Sequence, residues 1–216
     1  MGRLSASESR EAFRHIAESI EMSKEMLSEL DGAIGDGDHG LSIARGFRAV
    51  AKLVESDVKE DVGQLWSDVG TSLIRVIGGA TGPLFGTFFL QAGRRAMGQE
   101  SVGVDDVAGM FAAGLAGVKA IGKAEVGEKT LIDALQPACE ALESAAASGR
   151  SMSEALRVSA EAAEAGAEAT KGMRATKGRA RYLGERSIGH QDAGATSISL
   201  IVRSLHEYVE GLDDEP

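Results

Sequence analysis

The sequence predicts an all-α fold in one domain, and three observations predict it. Apolar residues recur at steps of three and four through most of the chain. Proline is scarce, 3 in 216 residues, while alanine is abundant. No run alternates apolar and polar residues convincingly, as a half-buried strand would. About eight helices result, and one helical bundle over 1–216, with its ordered core at about 8–210, is the economical arrangement.

The elements follow in order. A helix over 8–30 carries Phe13, Ile16, Ala17, Ile20, Leu27 and Leu30 at helical spacing. Asp31–Gly40 breaks the pattern. The second helix steps through Ile43, Phe47, Val50 and Val54, and a third, over about 61–77, through Leu65, Val69, Leu73 and Val76. Gly78–Gly82 interrupts it. Pro83 fits the first turn of the next helix, where its missing N–H costs nothing, and Phe85, Phe88, Phe89 and Ala92 follow. Asp105 is the expected cap of a helix over 106–121. There Ala113, Gly114 and Gly117 allow a neighbour to approach closely.

Gly122–Lys129 reads as a loop. Thr130 and Asp133 resemble a capping box ahead of Leu131, Leu135 and Leu142, in a helix ending near Gly149. Ser151 and Glu154 are expected to form a full capping box for an alanine-rich helix. Residues 171–194 are irregular. The last helix, about 195–209, carries Ile198, Ile201, Leu205 and Tyr208, and Asp213–Pro216 is expected to be a disordered tail.

Charge and cysteine usage narrow the function classes. The balance is 23 basic against 33 acidic residues, a net −10, the opposite of a phosphate-backbone binder, so no nucleic-acid partner is expected. Cys139 is the only cysteine. It sits in a helical pattern as a small core residue, and its solitude fits a reducing compartment. No leader-like apolar run opens the sequence and no stretch reaches the length of a spanning helix, which points to the cytoplasm and away from a membrane.

Glycine is the anomaly, 28 of 216 residues, about twice the usual share of roughly 7%. Much of it gathers in four junctions between helices. In the first, Asp31-Gly-Ala-Ile-Gly-Asp36-Gly-Asp38-His39-Gly40, three carboxylates fall close together and repel one another unless a hard cation such as Mg²⁺ takes them as oxygen ligands. The spacing is not that of an EF-hand, since Leu41 and Phe47 stand where Gly and Glu are needed. A solvated turn with Asp38 as a helix cap is the plain alternative, but capping needs one Asp and not three. His39 either contacts a ligand or fills the turn.

The second junction, Gly78-Gly-Ala-Thr81-Gly82-Pro83, precedes a helix, where backbone N–H groups can receive an anion. The third, Gly117–Lys123, imitates the start of a P-loop. Ala124 stands where Ser or Thr should bind magnesium, and no strand precedes it, so a P-loop fold is rejected. The fourth runs from Lys171 to Ala195. Between 171 and 186 it holds six basic residues, Arg179 among them, against one acidic. An anionic ligand gathered by arginine explains that segregation. His190 reads as structural. Together the junctions suggest a Mg²⁺–polyphosphate site at one end of the bundle.

The residues at these junctions resemble the L subunits of bacterial dihydroxyacetone kinases. The matching segments are Leu30-Asp31 through Ile34–Gly40, Arg45-Gly-Phe47, Gly78–Phe89, Gly122–Glu125 with Gly127–Thr130, Lys177–Ala180, and Tyr182–Asp192. The resemblance extends over about residues 8 to 209. It implies an eight-helix antiparallel barrel with ADP or ATP at one end and two Mg²⁺ held by Asp31, Asp36 and Asp38. It also implies nucleotide contacts from His39, Gly40, Leu41, Ser42, Ala80, Thr81, Gly122, Leu131, Arg179, Asp192, Ala193 and Gly194, with Arg179 the candidate for catalytic charge stabilisation. Compared with the family, Ala193 replaces Pro, Leu131 replaces Met, Thr81 replaces Ser and Ser42 replaces Asn; none of these removes a metal ligand.

The resemblance further implies partners. A K-type subunit binds dihydroxyacetone, and an M-type phosphohistidine subunit recharges the bound ADP. A homodimer is left open. Two other readings stand beside it. One is an ATP-dependent kinase subunit for another small ketose such as erythrulose, or for a fatty acid bound by a partner. The other is a nucleotide-loaded regulatory module without turnover.

Overall fold

Ser5 opens the first helix. Its hydroxyl accepts the Glu8 N–H at 3.3 Å, and the Glu8 carboxylate accepts the Ser5 N–H at 2.7 Å, so two orphan donors are satisfied reciprocally. In this computed structural model, which describes residues 2–56 and 58–214 and the side chains up to 212, that helix is α1 (Ala6–Met22). The chain then breaks at Ser23, whose N–H is shared between the Ser19 and Ile20 carbonyls, and restarts as α2 (Lys24–Ile34). The single helix expected over 8–30 is therefore two. Whereas α1 buries a full stripe from Ala6 to Ile20, α2 buries only Leu27 and Ile34. Asp31 thus sits in the last turn of α2, not in the loop beyond it.

The remaining helices are α3 (His39–Ser56), α4 (Val62–Val76), α5 (Thr81–Arg95), α6 (Val104–Gly122), α7 (Ile132–Ala147), α8 (Met152–Ala169) and α9 (Ala193–Asp214). The expected all-α class holds, and among the described residues the eight expected helices become nine α-helices through the break at Ser23. Neighbour pairs run α1–α3–α4–α5–α6–α7–α8–α9 and back to α1, which closes a ring of eight. The ring buries a continuous apolar core. Phe13, Trp66, Phe89, Phe88 and Phe111 meet there largely edge to face, at centroid separations from 5.1 to 6.5 Å. Such pairs add about 0.5–1.5 kcal/mol each beyond their area. All six phenylalanines and the one tryptophan are buried, whereas Tyr182 is exposed.

Much of the glycine excess has a packing cause. A Cβ on Gly70 or Gly86 would strike the facing backbone of α5 or α4, and Gly63 and Gly93 meet backbone in the same way. Four glycines let these two helices touch backbone to backbone. Gly114 and Gly117 likewise face Phe88 and Gln91 on α5, as their spacing suggested.

Several local expectations are corrected. Leu4–Ser5 pairs antiparallel with Ser101–Val102, a two-stranded clip that is too short to show an alternating pattern. The start of α6 is closed by Asp106, whose carboxylate takes the Gly103 N–H at 2.9 Å; Asp105 is not the cap. Ser151 does accept the Glu154 N–H at 3.2 Å, but the Glu154 carboxylate turns to Arg150 at 3.1 Å, so only half of the box forms. Helix α7 continues through Pro137. Regular structure extends beyond 8–210, and α9 carries the backbone through Asp214, while Glu215 and Pro216 of the expected tail lie outside the described residues. Cys139 is buried, with its thiol pKa pushed up to about 12 by desolvation. No helix among the described residues is long and apolar enough to cross a membrane.

Candidate functional site

The four glycine-rich junctions are α2–α3, α4–α5, α6–α7 and α8–α9, every second connection in the chain. In an up-and-down ring, alternate connections fall at the same end. That end therefore gathers all four junctions and the N-termini of α3, α5, α7 and α9. Each N-terminus brings unpaired N–H groups and a partial positive charge. Contacts across the end agree. His39 at the start of α3 bonds Ser197 on α9 at 2.8 Å, Gly122 lies against Leu84 of α5, and Gly194 lies against Leu131.

On this end the carboxylates of Asp31, Asp36 and Asp38 each offer an oxygen, and these oxygens lie within 4.8 Å of one another. Asp36 and Asp38 are exposed and Asp31 is half-buried. Gly37, at φ +77, makes the turn between them in a conformation that L side chains avoid. The carboxylate that takes an N–H at the start of α3 is that of Asp31, from His39 at 3.3 Å, so helix capping does not account for all three. Three convergent hard oxygen donors open to solvent on one side fit Mg²⁺, which keeps several positions for water or phosphate. Arg179 reaches this cluster from the far part of the chain, its Nη2 2.9 Å from Asp36 Oδ2.

The expected nucleotide residues divide into three groups. His39 is 8% exposed, its ring tilted against Phe85 and its Nε2 committed to Ser197, and burial lowers its pKa. Its side chain fills the turn, and its N–H is taken by the Asp31 carboxylate. Gly40 is buried, and a Cβ there would strike the Lys24 carbonyl oxygen, so its lack of a side chain serves the approach of α3 to α2. Leu41 is 59% exposed, an unusual position for leucine, while the Ser42 N–H bonds the Asp38 carbonyl in the first turn of α3. Ala80 and Thr81 open α5, after Gly79 at φ +66, with Ala80 exposed. Gly122 ends α6.

The third group lies deeper. Asp192 accepts the Ala195 N–H at 2.8 Å at the start of α9, and a Cβ on Gly194 would come within 3.0 Å of the same carboxylate and 3.6 Å of Leu131 Cβ. Ala193 and Leu131 are buried. Desolvation pushes the Asp192 pKa up to about 6, with the charges of Asp133 and Asp31 adding to it and Lys129 opposing.

Sequence reasoning missed the burial of two residues here, Asp133, named only as a helix cap, and Lys129. Asp133, 1% exposed, accepts the N–H groups of Gly127 at 2.5 Å and Thr130 at 2.7 Å. The Thr130 hydroxyl takes Ile132 N–H at 3.2 Å, so the box expected between Thr130 and Asp133 forms in altered register. Lys129, 2% exposed, is held under the loops. In the sequence it is only the last residue of the loop Gly122–Lys129, and nothing local signals its burial.

The fold and the site define an all-helical protein with a cluster of three carboxylates, at an end ringed by helix N-termini and reached by Arg179. The chain belongs to the DAK2 domain family, whose model matches residues 33–207, starting just past Asp31. It is 42% identical over 181 residues to the PEP-dependent dihydroxyacetone kinase ADP-binding subunit DhaL of Escherichia coli K12, covering 84% of this chain and 86% of that one. It is also 35% identical to D-erythrulose kinase of Mycolicibacterium smegmatis, but spans only 36% of that protein. The fold is similar to the dihydroxyacetone kinase of C. freundii solved in complex with AMP-PNP and Mg²⁺, with TM-score 0.70 and 28% identity, covering 92% of this chain and 33% of that one.

Proposed function

We propose that this chain is the nucleotide-holding, phosphoryl-transferring subunit of a dihydroxyacetone kinase. It keeps ADP or ATP, with two Mg²⁺ on Asp31, Asp36 and Asp38, at the glycine-rich end of the ring. It passes the phosphoryl group to dihydroxyacetone bound on a separate K-type subunit, and a phosphohistidine subunit recharges the ADP in place. The observation that carries this reading is the convergence of three carboxylates within 4.8 Å on the end that receives four helix N-termini.

Phosphoryl transfer is mostly positioning and charge neutralisation. Bound magnesium would offset phosphate charge and orient the transferable group. The chain's own part is to hold the three carboxylates together by Gly37 and the last turn of α2, and to offer the backbone N–H groups of Gly40 and Leu41 and those at 80–81. Arg179 supplies a mobile positive charge: at 71% side-chain exposure it can leave Asp36 for a phosphate oxygen without a desolvation cost. The buried α9 start, with Asp192, Ala193 and Gly194, forms one wall of the nucleotide site with Leu131. The lone buried thiol fits work in a reducing cytoplasm.

The higher identity to the DhaL subunit of Escherichia coli, 42% against 35% to D-erythrulose kinase, favours this reading over an erythrulose kinase. The test is to denature the purified protein and identify what is released. Stoichiometric ADP, phosphorylated only when the phosphohistidine partner is present, is the expected result. An empty protein that turns over free ATP with a K-type partner supports the exchange-type kinase instead, and no transfer under any pairing leaves a regulatory module.

A further inference from the structure

We infer that Lys129 is a positioning residue for the nucleotide site, a buried ammonium that ties the α6–α7 junction to the α8–α9 junction and so fixes Asp192 in place. The inference rests on the nucleotide reading above. A fully buried lysine is rare unless its charge and donors are taken up. Here the Nζ donates to the Thr170 carbonyl at 2.6 Å and to the His190 carbonyl. Those two acceptors lie on opposite limbs of the long fourth junction, one at the end of α8 and the other just before α9. The backbone at Lys129 adopts φ +61, an uncommon conformation for a side-chain-bearing residue.

The same knot presents Asp192. Its N–H donates to the Thr170 hydroxyl at 2.9 Å, that hydroxyl donates to the Ala167 carbonyl, and the Gly189 N–H donates to the Lys171 carbonyl at 2.7 Å. The ammonium thus bridges two backbone segments that are joined to each other by these links and by the Ala175 N–H, which donates to the Ser187 hydroxyl at 2.9 Å. Asp192 and Asp133 supply opposing charge to the buried ammonium. Asp133 in turn holds the Gly127–Thr130 loop through two N–H groups, which keeps the lysine over its acceptors. Any ligand that rests against Asp192, Gly194 and Leu131 would feel the loss of this tie as a loosened wall.

The test replaces Lys129 with Met, which keeps the chain length and removes the donors and charge. Amide exchange in nucleotide-free protein and the Kd for ADP with Mg²⁺ are both measured well below the melting temperature. Thr170→Val, which removes the hydroxyl with little change in shape, is the second variant should Lys129→Met not fold. Leu142→Ala, a core change outside the four junctions, serves as a stability control. The expected result is at least tenfold faster exchange at the Gly189 and Asp192 amides and at least tenfold weaker ADP binding in Lys129→Met or Thr170→Val, with Leu142→Ala within twofold of wild type. Unchanged exchange overturns the inference. Faster exchange with unchanged ADP affinity overturns it too, since the tie would then be structural only. A wild-type protein that takes up no ADP with Mg²⁺ sinks the nucleotide reading itself, and the inference with it, and shows this before any variant is compared.

Discussion

The guanidinium of Arg179 stands 2.9 Å from the carboxylate of Asp36, joining the basic junction before α9 to the acidic junction before α3. The pair is exposed on both sides, so as an ion pair it contributes little to stability. Its meaning is positional. A strongly cationic segment of an acidic chain is folded onto a cluster of three carboxylates, at the end where helix dipoles favour anions. An arrangement of this kind suits a ligand that is itself a cation–anion complex.

Replacing Asp36 with Asn removes one of the three oxygens and the partner of Arg179. Mg²⁺-dependent retention of ADP should fall at least about tenfold, roughly 1.4 kcal/mol or more, while the circular dichroism of the helices stays nearly unchanged. Equilibrium dialysis with and without Mg²⁺ measures it; normal retention would remove Asp36 from the ligand set.

Arg179→Ala should lower the rate of phosphoryl transfer by about a hundredfold, the scale seen when one donor to a developing charge is lost. ADP binding should weaken much less. Arg179→Lys should recover only part of the rate, because an ammonium lacks the planar fork of a guanidinium. Single-turnover transfer to dihydroxyacetone with the K-type partner separates the two quantities, and equal loss of binding and rate in Arg179→Ala would argue against a role in transfer.

Gly70→Ala forces a methyl into the backbone of α5 at Leu90 and Gly86. It should cost roughly 1–3 kcal/mol as overpacking between rigid helices. Gly127→Ala, in open space at φ +94, meets no neighbour and should cost only about 1–2 kcal/mol through its backbone conformation. Urea denaturation compares them, and a silent Gly70→Ala would mean that α4 and α5 are not in backbone contact.

The Asp192 carboxyl, raised to about 6, titrates above its unfolded value near 3.8. The folded state therefore holds this proton more tightly than the unfolded state. The resulting stabilisation is fully present below the unfolded pKa and disappears as pH rises through about 6. In metal-free protein the stability of wild type relative to Asp192→Asn should fall between pH 4 and 6.5. A flat difference across that window would show an ordinary carboxyl.

Cys139, buried and with a thiol pKa near 12, should resist thiol reagents at pH 8 in the native protein and react once the chain is unfolded, because the thiolate is the reactive form. Fast native labelling would place the residue at the surface.

What could be read without the structure was local. The apolar steps located the helices, because a helix that packs on a ring must carry a stripe at that period. The four glycine junctions and the crowd of Asp31, Asp36 and Asp38 stood out for the same reason: like charges and missing side chains are conspicuous in a short window. What the tertiary structure decided depended on partners far away in the chain. The break at Ser23 gave Asp31 its helical seat. Ser197 drew the His39 ring inward. The Lys24 carbonyl made Gly40 a packing glycine, and the backbones of α4 and α5 claimed four more. Lys129 and Asp133 became buried only because the junctions on either side of α7 and α8 close over them. Periodicity reports which face of a helix is apolar, but burial of a polar group and the direction of its hydrogen bonds are set by whatever the fold brings against it.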